Sequence, residues 1–89
     1  MIHKYAELMG VTPEQIIEKN KKPEIAEIRF VYYKLRYDKH VRNYSKIARE
    51  VNRTPSSIMH GVKRINELLS IGDKEAHRKW NKVKDLRDV

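Results

Sequence analysis

Helix punctuation is the feature of this chain that most constrains its fold. Pro13, Pro23 and Pro55 stand where helices should start, and Gly10 and Gly72 stand where helices should stop. Proline fits the first turn of a helix, where its missing N–H would find no intrahelical partner anyway, and glycine tolerates the left-handed residue just past a C-terminus. With only three residues of each kind in 89, long segments between them are left uninterrupted. The chain reads as all-α, a bundle of about six helices forming a single domain over residues 1–89.

A first helix from about His3 to Met9 carries Tyr5 and Leu8 and ends at Gly10. In VTPEQIIEKN, Thr12 is placed to cap a second helix, with Pro13 at its first position and Gln15 where a capping box wants it. KNKKP breaks that pattern, and a third helix is predicted from Pro23 to about Arg36, with Ile25, Ile28, Val31, Tyr32 and Leu35 in an apolar stripe. Asn43 caps a fourth helix, Tyr44 to Val51, whose inward side is Ile47, Ala48 and Val51. Thr54 caps a fifth, Pro55 to Leu69. Asp73 opens a last helix in which Ala76, Trp80, Val83 and Leu86 repeat at spacings of four, three and three.

Charge narrows the functional classes. Twenty Lys and Arg against 12 Asp and Glu give +8, with a pI near 9.8 and a mean hydropathy of −0.81. From Lys19 to Arg64 there are 13 basic and four acidic residues, so this stretch nets +9 and the remainder −1. Such concentration attracts a polyanion, and duplex DNA carries about one phosphate charge per 1.7 Å of its axis. The chain has no cysteine, hence no disulfide framework and no thiolate metal site. No apolar run approaches the roughly 18 residues of a membrane span, and no signal-peptide core is present. A cytoplasmic, nucleoid-associated protein is therefore expected.

The fourth and fifth helices form the informative pair. Between them Asn52 can take a positive φ, the small Ala48 sits where the helices cross, and Ile58 plugs between them. On a helical wheel Val62, Ile65 and Leu69 stay within about 40° of Ile58, whereas Ser56, His60, Lys63 and Glu67 lie opposite, with Arg64 beside them. Two short helices joined by a tight turn, the second with a basic face, describe the helix-turn-helix, whose second helix enters the DNA major groove. Ser and His can exchange hydrogen bonds with base edges, and Lys can donate to guanine.

These residues resemble a known family. RTPSSIMHGVKRI, Arg53 to Ile65, is similar to Arg-Asp-His-Thr-Thr-Val-x-His-Ala-x-x-Lys-Ile, the signature of the C-terminal DNA-binding domain of the bacterial replication initiator DnaA. YAELMGVTPEQIIEKNKK looks like that domain's opening helical segment, IRFVYYKL like its long helix, and INELL with KWNKVKDL like its closing helices, so about residues 2 to 88 are covered. The resemblance implies a helix-turn-helix bundle of that domain's type, similar also to the Trp repressor, and a role in replication initiation or its regulation. It implies base contacts from Ser56 and His60, phosphate contacts from Ser57, Arg53 and Arg29, and a minor-groove approach by Lys21 or Lys22. Thr54 and Lys63 complete the expected base-reading set, and Arg64 the backbone set.

The departures alter the expectation in part. The family's Asp-His pair is Thr54-Pro55 here, which removes a carboxylate able to accept from cytosine, and the turn is one residue shorter, so a target other than the usual initiator box is expected. The sequence has no Gly-rich phosphate loop, so ATP-dependent origin melting would need a separate ATPase-bearing partner; a homodimer would extend the few base pairs that one helix pair covers.

Other readings weigh less. A transcriptional regulator of a phage or mobile element would use the same fold. RNA shares the electrostatics, but its A-form major groove is too narrow for a helix. A membrane-surface module would use the last helix, where Trp80, Val83 and Leu86 oppose Arg78, Lys79, Lys82 and Lys84. Ser57 with His60 lacks an orienting acid and an oxyanion hole, so no enzyme and no small-molecule substrate are expected. His3, His40 and His77 show no metal-ligand spacing, and neither a metal nor another cofactor is expected.

Overall fold

A computed structural model describes residues 1–18 and 22–87, which form α1 (Ile2–Met9), α2 (Pro13–Ile17), α3 (Pro23–Lys39), α4 (Tyr44–Glu50), α5 (Pro55–Ser70) and α6 (Lys74–Val83). The punctuation works locally. Thr12 accepts from Gln15 N while the Gln15 side chain accepts from Thr12 N, a reciprocal capping box. Asn43, Thr54 and Asp73 accept from Lys46 N, Ser57 N and Ala76 N at the starts of α4, α5 and α6. Each such cap satisfies an amide that the helix itself leaves without a partner and contributes about 1 kcal/mol.

The apolar stripes converge on α3. Val31, Tyr32, Tyr33 and Leu35 are buried there against Tyr5 and Ala6 of α1, Ile16 of α2, Ile47 and Ala48 of α4, Ile58, Val62 and Ile65 of α5, and Val83 of α6. Full burial of an Ile, Leu or Val side chain is worth about 1.5–3 kcal/mol, so this cluster dominates the favourable side of folding. The Tyr5 hydroxyl donates to Ile28 O, which lets a phenol sit in the core without a polar debt.

Charged side chains fix how the helices lie. Arg36 of α3 grips Glu50 of α4 through a two-nitrogen fork, with Nη2 2.8 Å from Oε1 and Nε 3.2 Å from Oε2. Lys79 of α6 reaches Glu27 of α3 at 3.2 Å. The sequence pattern placed Lys79 on a solvated face, but it is only 8% exposed, because its aliphatic stem lies along the bundle while its ammonium finds the carboxylate.

Two boundaries differ from the sequence reading. α3 continues to Lys39 instead of ending near Arg36, supported by the i,i+4 pair Lys34–Asp38 and by Tyr37 stacked on Tyr44 at 4.2 Å. α6 stops at Val83, after which Leu86 turns back so that its carbonyl lies 2.9 Å from His40 Nε2. Val83 is buried, and Trp80 and Leu86 pack on the core, so these three leave no continuous apolar face outward. Among the described residues no helix is long and apolar enough to cross a membrane.

Candidate nucleic-acid interface

The α4–α5 junction is a compact turn with its polar groups satisfied. Asn52 adopts φ 54°, a left-handed conformation that asparagine tolerates better than other non-glycine residues. This brings Arg53 N to within 2.9 Å of Ala48 O, and the chain restarts at the Thr54 cap and Pro55. Ala48 is buried at the crossing, and Ile58 is wholly buried behind it.

One contact sets the azimuth of α5. A Cβ on Gly61 would stand 2.8 Å from both Phe30 Cδ1 and Tyr33 Cδ2, closer than carbon atoms approach. Glycine there lets α5 lie directly on the rings of α3. With Ile58, Gly61, Val62 and Ile65 buried, the opposite arc is forced outward: Ser56, Met59, His60, Lys63, Arg64 and Glu67 are exposed. The His60 ring stands edge-on to Phe30 at 5.9 Å, which restrains its orientation at the rim of that arc.

The expected base-reading residues therefore share one surface, but their side chains are not equally available. Ser56, His60 and Lys63 are exposed along α5. Thr54 is also exposed, yet its hydroxyl accepts from Ser57 N at 3.2 Å and lies 2.9 Å from Ser57 Oγ. Its oxygen is engaged in capping, so Thr54 acts first on the start of α5.

The basic residues divide more sharply. Arg64 is exposed, with a loose contact of 3.8 Å to Glu67. Lys22 is exposed at the start of α3; Lys21 lies outside the described residues. Arg29, expected against a DNA backbone, is 7% exposed and donates from Nε to Ile16 O at 3.0 Å and from Nη2 to Glu18 O at 2.7 Å. Arg53 Nη2 donates to Ile17 O at 3.1 Å. The two guanidiniums thus hold three successive carbonyls at the negative C-terminal end of α2, a position that favours cations. Burial, with the Arg53 charge as a smaller contribution, lowers the pKa of Arg29, while Tyr33 opposes that shift. Its structural work is to fasten α2 beside the α4–α5 turn.

Between α3 and α5 a depression of about 370 Å³ is lined by Arg29, Tyr33, Arg53, Ser57 and His60, among others. Charge density and wheel position did not disclose two of the residues that shape this surface. An isolated glycine within a helical pattern was the available signal for Gly61. Met59, 37% exposed on the outward arc, offered no signal beyond its helical phase.

No family model matches this chain, and neither a curated protein nor a solved structure matches it.

Proposed function

We propose that this protein binds double-stranded DNA, using α4 and α5 as a helix-turn-helix with α5 in the major groove. One observation carries the reading: Ile58, Gly61, Val62 and Ile65 lock one side of α5 inward, while Ser56, His60 and Lys63 are exposed on the other. An α-helix matches the width of the B-form major groove, and these three side chains supply hydrogen-bonding groups for base edges. Arg64 and Lys22 are exposed, Ser57 and Arg53 are partly exposed at the start of α5, and in this reading the four would meet phosphates together with the positive N-terminal end of that helix. Arg29 contributes its charge from within and fastens the scaffold.

A place in replication initiation or its regulation follows from the resemblance of Arg53 to Ile65 to the DnaA DNA-binding signature. In that setting these residues supply the contact with DNA. Competition at fixed salt between a labelled DNA duplex and double-stranded RNA of the same sequence tests the groove assignment. RNA should compete poorly, because its deep, narrow major groove excludes a helix. Equal competition by the two would mean that charge alone drives binding.

A further inference from the structure

The depression between α3 and α5 contains donor groups that the outward arc does not use. Tyr33 is 1% exposed, yet its hydroxyl has no hydrogen-bond partner among the described residues. Arg53 Nε, buried on the same depression, has none among them either. Buried polar groups are almost always paired, since leaving one unpaired forfeits its hydration without recompense. Two such groups on one depression are an unusual concentration.

The surroundings define what would pair with them. Burial raises the pKa of the Tyr33 hydroxyl, while the charges of Arg53 and Arg29 act in the opposite sense, so both guanidiniums lie within electrostatic reach of it. Ser56 and Ser57, in the first turn of the 16-residue α5, form the adjoining wall. That turn presents the positive end of the helix dipole. None of the described lining residues is a carboxylate. A cation has nothing there to neutralise it. A compact anion with several acceptor oxygens meets the Arg53 guanidinium, a phenol and a serine hydroxyl, with the Arg29 charge acting from behind them.

We propose that this depression seats one phosphate of the bound duplex, held by the Tyr33 hydroxyl, the Arg53 guanidinium and the Ser57 hydroxyl at the start of α5. The proposal rests on the DNA-binding reading and adds Tyr33, otherwise a core aromatic, to the residues that meet nucleic acid. Seating a phosphate here would fix the register of α5 along the groove, because Ser57 and His60 are one helical turn apart on the same element.

Inorganic phosphate is a suitable probe of the full chain, titrated against chloride at constant ionic strength and followed by amide NMR shifts and melting temperature. In the unsubstituted protein, phosphate should shift the amides from Arg53 to Ile58 and raise the melting temperature. Tyr33→Phe should fold with an unchanged or higher melting temperature in chloride, since it removes a hydroxyl that has no partner. Its affinity for phosphate, and for duplexes of any sequence, should fall about tenfold, the effect of losing one hydrogen bond to a charged group. Unaltered phosphate and duplex binding by Tyr33→Phe would overturn the proposal, as would a lower melting temperature in chloride, which would give the hydroxyl a structural partner. Tyr33-dependent phosphate binding by a chain that binds no duplex would uphold the pocket and refute the DNA reading. Duplex binding that ignores Tyr33 would do the reverse.

Discussion

Gly61 and Phe30 are in such close register that a single added carbon on the glycine would stand 2.8 Å from the ring. This contact decides which side of α5 looks outward. Gly61→Ala gains about 1 kcal/mol of helix propensity, but it must displace the Phe30 ring and the buried Tyr33 ring together, and overpacking of this kind costs about 1–3 kcal/mol. The expected net result is a loss of up to about 2 kcal/mol in urea denaturation, with weaker DNA binding as α5 rotates. A variant more stable than the parent would show that the rings yield freely.

Arg29 separates scaffold from interface. Arg29→Met removes the donors to Ile16 O and Glu18 O, and hydrogen bonds from a charged group are worth about 1.5–3 kcal/mol each at most. Stability should fall by about 2 kcal/mol, while the slope of log affinity against log salt stays nearly constant. A stable variant whose salt slope drops by about one unit would instead make Arg29 a direct phosphate contact.

His60 and Arg64 should behave differently although both are exposed on α5. His60→Ala is expected to cost about 1–3 kcal/mol on the preferred site and little on random duplexes. Arg64→Ala should weaken binding to all sequences and reduce the salt slope by about one unit. Anisotropy titrations at four or five salt concentrations distinguish these patterns, and identical behaviour of the two variants would remove His60 from the reading set.

The crossing of α4 and α5 tolerates little extra volume. Ala48 is buried there, and its carbonyl accepts from Arg53 N across the turn. Ala48→Leu should destabilise the chain by roughly 1–3 kcal/mol through overpacking and splay the pair. Unchanged thermal stability would place the crossing elsewhere.

How much of this was legible in the sequence depended on whether the governing interaction was local. Thr12, Asn43, Thr54 and Asp73 act on amides three residues away, so their caps and the start of each helix could be read from spacing alone. The positive φ of Asn52 and the inward stripe of Ile58, Val62 and Ile65 are equally local. The extension of α3 to Lys39 was harder to see, because a polar YDK segment does not announce that Tyr37 stacks on a residue of the next helix. The resemblance implies phosphate contacts for Arg29 and Arg53, and the helical pattern leaves Lys79 solvated, because a sequence shows charge but not the distant carbonyl or carboxylate that also receives it: Ile16, Ile17 and Glu27 lie 13, 36 and 52 positions away from them. That the Tyr33 hydroxyl finds no hydrogen-bond partner among the described residues is not legible either, since an absence of partners exists only in three dimensions.

The most direct test of α5 as the reading helix is selection of bound duplexes from a random pool, carried out in parallel with the parent chain and His60→Ala. The parent should enrich one short recurring motif, and His60→Ala should lose the preference at one or two of its positions while still retaining DNA. A retained pool without sequence bias, or the same motif from both proteins, would contradict base reading by the outward face of α5.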